Sequence, residues 1–155
     1  MNGIFQWLWV IILAMLPVSE LRGAIPLALG SYGMNPYLTI PVIVFFNFLP
    51  VPFILLFLGP VERWLRRWKF WDTLLNKIFE HTRNKTKKSI EKWESLALIL
   101  FVAIPLPVTG AWTGSLAAYL FGLDFRKSLL YIFAGICIAA AIVTTATVMG
   151  IHLLA

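Results

Sequence analysis

At 155 residues the chain has room for one domain, and 60% hydrophobic against 13% charged content excludes an ordinary soluble globular fold. Its formal charge of +6 is segregated: of thirteen Lys and Arg, ten lie between Arg63 and Lys92, two are Arg126 and Lys127, and one is Arg22. Charge placed that way points to acidic lipid head groups rather than nucleic acid as its partner.

The first segment, residues 1–35, is apolar from Ile4 to Leu16 and is then interrupted by Pro17, Glu20, Arg22, Gly23 and Pro26. Ile4–Leu16 has the length of a signal-peptide core. No Lys or Arg precedes it and no small-x-small cleavage site follows before Glu20, so it is expected to be retained. Residues 36–60 are uncharged and long enough to cross the bilayer as one helix, for which about 20 residues are needed. Asn47, beside Pro50 and Pro52, is the strongly polar group of this run and is expected to bond a freed backbone carbonyl.

Residues 61–94 carry ten basic and five acidic side chains. Within them Trp64, Leu65, Trp68, Trp71, Leu74, Leu75, Ile78 and Phe79 recur at helical spacing with Arg63, Arg66, Arg67 and Lys77 between them. That pattern predicts an amphipathic helix lying in the membrane interface, and its positive charge predicts the cytoplasmic side. Residues 95–125 are apolar again but interrupted by Pro105, Pro107, Gly110 and Gly114, and residues 126–155 form a second spanning run. Cys137, the single cysteine, lies in that run, excludes an intrachain disulfide and reads as buried packing.

The order broken, whole, charged, broken, whole is an internal repeat. Leu16-Pro17-Val18-Ser19 matches Leu106-Pro107-Val108-Thr109 ninety positions on, both in the middle of a broken segment. Paired Gly/Pro-interrupted segments are the sequence pointer to a transporter binding site. The broken segments are either kinked spans or re-entrant hairpins. Their arms of roughly 10 to 13 residues reach about 15 to 20 Å, short of the ~30 Å hydrocarbon core, which favours hairpins. The expected fold is therefore an all-α integral membrane protein: an inverted repeat of re-entrant hairpin plus transmembrane helix, with the cytoplasmic amphipathic helix between the halves. In that topology both chain ends lie outside while Asp124, Arg126 and Lys127 lie inside.

Glu20 and Arg22 are the charged side chains inside the expected membrane segments, where a central charge costs at least ~2.5 kcal/mol. They form either a structural pair, Arg22 neutralising Glu20 or backbone carbonyls, or a site in which Arg22 holds an anionic head group and Glu20 exchanges protons. Ser19 and Thr109 stand where returning helices begin and are expected to act as N-caps, leaving inward helix N-termini suited to a phosphate or carboxylate. Gly110, Gly114, Ala118 and Gly122 repeat every four residues as a close-packing face, with Trp112 and Thr113 off it and placed to line a cavity. The expected substrate or ion site is Ser19, Glu20, Arg22, Thr109, Gly110 and Trp112. His81 and His152 are far apart, no metal-ligand spacing or nucleotide loop occurs, and neither an enzyme nor a cofactor is expected.

With Pro-Val-Ser-Glu-Leu-Arg-Gly-Ala-Ile-Pro (17–26) and Pro-Leu-Pro-Val-Thr-Gly-Ala-Trp-Thr-Gly (105–114) the chain resembles, over essentially its full length, the prokaryotic small multidrug export protein family. That family is similar in turn to the DedA or VTT superfamily. The resemblance implies opposed re-entrant hairpins and transport of polyprenyl-phosphate or phospholipid. Glu20 matches the acidic residue of the first hairpin, and Gly110, Gly114 and Ala118 resemble the DedA glycine repeat. DedA members carry arginines in the second hairpin, whereas Ser95 to Phe125 holds none. Two functions are expected on these grounds: a transporter in the inner (plasma) membrane moving a lipid or small amphipathic molecule, proton-coupled through Glu20, or a non-transporting scaffold or accessory subunit. Membrane lipids and a second copy of the chain, forming a homodimer, are the expected partners.

Overall fold

The computed structural model describes residues 3–68, 91–106 and 109–154. Among them the chain is all-helical, with no strand. The first broken segment gives α1 (Gly3–Met15) and α2 (Glu20–Pro26), and α2 runs on into one π-helical turn (Leu27–Ser31). The chain stops at Met15 because Pro17 brings no N–H to continue the ladder. Glu20 then opens α2 with a φ of 47°, the left-handed region that side chains other than glycine avoid.

Asn35 begins the next element, its side chain accepting from the Tyr37 N–H at 3.0 Å with Pro36 in the first helical position. α3 (Pro36–Phe48) and α4 (Pro50–Leu65) follow, separated at Leu49, whose backbone is itself helical. Together they make one candidate membrane span, Pro36–Trp64. α4 thus carries five residues beyond the uncharged run into the basic segment. Of the expected amphipathic helix, Trp64 and Trp68 are described, both exposed with ring centroids 6.3 Å apart. Trp71, Leu74, Leu75, Ile78, Phe79 and His81 lie outside the described residues.

The second broken segment gives α5 (Glu91–Ala103) and α6 (Ala111–Leu120). α6 ends on Gly122 at φ 69°, with the Gly122 N–H donating to the Tyr119 carbonyl and the Leu123 N–H to the Ala118 carbonyl, both at 3.0 Å. Gly122 therefore terminates the helix and does not belong to the packing face that its spacing predicts. The other members of that face, Gly110, Gly114 and Ala118, are buried. α7 (Phe125–Leu154) starts where Asp124 Oδ1 accepts the N–H groups of Arg126 and Lys127, and supplies the second candidate span, Phe125–Leu153.

The core runs through every helix, with Val10, Ile25, Ile43, Val51, Val102 and Ile132 among its members. α7 packs against α5, α2 and α3 and forms its spine. Val102 is wedged between two glycines: a Cβ on Gly114 would come 2.5 Å from Val102 Cγ2, and one on Gly135 would come 2.6 Å from Val102 Cβ. Only hydrogen at both places lets α5 lie this close to α6 and α7. The outer surface is as apolar as the inner one. Only 22% and 33% of the two spanning windows are buried within the chain, so the rest of these apolar helices faces outward, as a protein dissolved in lipid requires. Cys137 lies on this outward face, correcting the expectation that it is buried: it falls one position past Ile136, which turns inward on α7.

Candidate functional site

The two breaks meet, and each meets the other's unpaired backbone groups. A helix leaves its last carbonyls and first N–H groups without intrahelical partners, and away from water these must be met from elsewhere. At the end of α1, Ser19 Oγ donates to the Leu13 carbonyl at 2.8 Å. Asn47 Nδ2 donates to Ala14 at 2.8 Å and Trp112 Nε1 to Met15 at 3.1 Å. Asn47, reaching from α3, thus has the backbone role expected of it.

Beyond α5, the Arg22 guanidinium takes the equivalent place. Nη1 donates to the Leu106 carbonyl, and Nη2 donates to the Ile104 carbonyl at 3.3 Å and to Thr109 Oγ1 at 3.2 Å. Thr109 ties this turn internally, donating to the Ile104 carbonyl at 2.7 Å and accepting the Leu106 N–H at 3.3 Å. Neither hydroxyl caps a helix N-terminus. Ser19 is turned back to α1 and Thr109 to its own loop, while Gly110 holds the N-cap position of α6.

The N-terminus of α6 is capped instead by Glu20. Its Oε2 accepts the Ala111 N–H and its Oε1 the Trp112 N–H, each at 3.3 Å, so a carboxylate lies on the positive end of a helix from the other half of the chain. The expected free N–H groups at this end are therefore taken. Glu20 is 5% exposed. A Cβ on Gly110 would overlap its carboxylate, so the glycine is needed for close approach; its φ of 164° is ordinary extended backbone. Glu20 and Arg22 make no direct salt bridge, although their charges act on each other, and Arg22 Nε is buried without a hydrogen-bond partner among the described residues.

All six expected site residues thus converge, although they are separated by up to 93 positions (Ser19 to Trp112). Residues the sequence did not single out complete the surroundings. Beside the crossing lies an open groove of about 420 Å³, apolar throughout, with Met15 and Trp112 on one side and Leu49, Pro50, Phe53 and Phe57 on the other. Trp112 belongs to both features: its indole walls the groove and its backbone N–H holds Glu20. At the far end of α4, Glu62 accepts from the Tyr119 hydroxyl and, at 2.7 Å, from Arg66 Nε, fastening α4 to α6. The spacing of Glu62 and Tyr119 carries no signal of this contact.

An all-helical protein with two bilayer-length apolar helices and two broken segments crossing through embedded charges belongs to the class of integral membrane proteins. The chain is a member of the family described as "Putative small multi-drug export protein", whose sequence model matches residues 20–142. The family points to a membrane transporter. No curated protein and no solved structure matches the chain.

Proposed function

We propose that the chain transports a small amphipathic molecule across the inner membrane by opening and closing the contact between its two broken segments. In this reading both segments are re-entrant hairpins that enter from opposite faces and meet near the midplane. Support comes from helix length: α1 has 13 residues and α6 has 10, so neither reaches beyond about 20 Å.

Reciprocity supports an inverted repeat. Offset by ninety, Glu20 corresponds to Gly110, and these two positions touch. Arg22 corresponds to Trp112, and each donates to carbonyls at the end of the other half's first arm. Contacts in which i meets j while the equivalent of j meets the equivalent of i are the signature of a two-fold axis. This arrangement is also what a relationship to the DedA proteins would produce.

The observation that carries the reading is Glu20. A carboxylate held in left-handed backbone, away from water, by two N–H groups of the opposite break is a costly arrangement of the kind that concentrates at functional sites. Adding a proton removes the charge that caps α6 and weakens both bonds, so proton binding at Glu20 releases the second break from the first. That is a two-state element biased by one proton. Transport of a phosphate-bearing lipid has less support, because Arg22 directs its Nη groups at Leu106, Ile104 and Thr109.

Proteoliposomes with a pH gradient test this. Amphipathic substrates are expected to cross with wild-type protein and to fail with Glu20→Gln; transport that is indifferent to Glu20→Gln and to the gradient would overturn the mechanism. Topology is tested separately with single cysteines at Asn2, Asp124 and His152 in a Cys137→Ser background. An impermeant maleimide applied to intact cells is expected to label Asn2 and His152 and to spare Asp124. The reverse pattern would sink the re-entrant reading.

A second reading, a non-transporting scaffold, is favoured by one fact: both carboxylate oxygens of Glu20 and both terminal nitrogens of Arg22 serve to hold the two breaks together. It predicts stable co-purification with a larger complex and no transport by the isolated protein in any gradient.

A further inference from the structure

The groove between Met15 and Trp112 on one side and α4 on the other has a shape and an electrostatic character that the crossing itself does not explain. We propose that it is a binding site for an organic monocation with a bulky aromatic or apolar body, a ligand class that rests on the transporter reading above and narrows it. The volume, about 420 Å³, suits one molecule of a few rings. Phe53 and Phe57 are each more than half exposed, stand one turn apart on α4 and line the groove together with Trp112. Three aromatic rings around an apolar space attract a desolvated cation through the negative faces of their π systems and offer nothing comparable to an anion.

The surrounding charge has the same sign preference. Met15 is the last residue of α1, so the groove opens at the carbonyl end of a helix, where the negative dipole is reduced by the neutral donors on Leu13, Ala14 and Met15 but meets no positive charge among the described residues. The positive end of α6, which would oppose this at Trp112, is neutralised by the Glu20 carboxylate lying across it. Arg22, the embedded cation, is directed at the carbonyls of Ile104 and Leu106 and does not line the groove. A cation in the groove packs on Trp112, the residue whose N–H holds the Glu20 carboxylate, and the charge of Arg22, which also acts on Glu20, offsets only part of the carboxylate's attraction because Arg22 stands outside the groove. Binding and proton occupancy at Glu20 oppose each other through Trp112, which gives the coupling of an exchanger.

Two ions of nearly equal size, shape and apolar surface but opposite charge isolate the sign preference: tetraphenylphosphonium and tetraphenylborate. Equilibrium dialysis against the full chain in phosphatidylcholine nanodiscs, with empty nanodiscs subtracted, is expected to give saturable binding of tetraphenylphosphonium at one site per chain. Tetraphenylborate is expected to bind at least tenfold more weakly. Phe57→Leu keeps volume and removes the ring, and is expected to weaken the cation at least threefold with an unchanged melting temperature; Phe53→Leu serves the same purpose if Phe57→Leu does not fold. Lowering the pH is expected to release the cation from the wild type and not from Glu20→Gln. Equal affinity for the two ions, binding no greater than to empty discs because acyl chains fill the groove, or full affinity in a folded ring-deleted variant would each overturn the assignment. If Glu20-dependent transport of other molecules persists while tetraphenylphosphonium does not bind, the transporter reading stands and this ligand class falls.

Discussion

The two breaks share a tetrapeptide and differ in how they are held. The first, at Leu16–Ser19, is narrow: the Glu20 N–H donates to Leu16 and the Gly23 N–H to Ser19, both at 3.0 Å, so backbone bonding resumes within a turn. Its exposed carbonyls are met by neutral donors from Ser19, Asn47 and Trp112. The second, between Ala103 and Ala111, contains two prolines and is wider. Its carbonyls are met by a guanidinium and its N–H groups by a carboxylate, both supplied by the first half. The first break is met mostly from its own half, with Trp112 the one donor from the other, and carries the charges, while the second is open and neutral. A duplicated motif has thus become a complementary pair: the absence of arginine from the second half is matched by Arg22 arriving from the first.

This asymmetry predicts that damage to the first half's charges unfolds the second half's break. Arg22→Ala is expected to have the largest effect, since it removes a charged donor from two backbone carbonyls and from Thr109 at once. Charge-assisted hydrogen bonds contribute about 1.5–3 kcal/mol each, so a loss of at least that size is expected in denaturant unfolding from micelles or bicelles. Amide hydrogen exchange at residues 104–114 should rise with it while that of α1 is unchanged. Equal exposure of both breaks would show the two halves to be one cooperative unit and remove the distinction.

A second test presses on the packing that brings the breaks together. Gly135→Ala is expected to cost about 1–3 kcal/mol by forcing Val102 away, and Val102→Gly in the same chain, which removes the Cβ it would meet, should recover part of it. Gly110→Ala, of similar steric size, acts differently. It displaces the Glu20 carboxylate, so transport should be lost along with stability, whereas Gly135→Ala should retain transport in whatever fraction remains folded. Indistinguishable transport per folded molecule would remove Glu20's contact with α6 from the mechanism.

The smallest effect separates the two hydroxyls that the tetrapeptide makes equivalent. Ser19→Ala removes one hydrogen bond, to Leu13, for about 0.5–1.5 kcal/mol. Thr109→Ala removes the group that joins Ile104, Leu106 and Arg22, and is expected to cost more than Ser19→Ala by about 1 kcal/mol. The opposite order would mean that the first break is the weaker one.

Much of this was legible from residue order alone. Long apolar runs, prolines and the clustering of charge set the spans, the breaks and the helix starts at Asn35 and Asp124, because backbone bonding and capping are local and depend on which residue supplies or lacks an N–H. Two charges within apolar sequence marked a place that had to be partnered for the same reason: a buried charge needs a partner wherever the chain goes. Which partner each would find was not written locally. Ser19 and Thr109 carry the signature of N-caps and cap no helix N-terminus, since a helix N-terminus in a low-dielectric setting is better matched by a carboxylate than by a hydroxyl, and Glu20 comes within reach of α6 only once Gly110 lets the halves touch. The groove likewise draws its walls from Met15, Phe53, Phe57 and Trp112, which lie on three helices. Sequence fixes what each segment must seek from its surroundings, and tertiary packing decides which distant residue provides it, because hydrogen-bond and contact geometry are settled over a few ångströms that only the folded chain brings together.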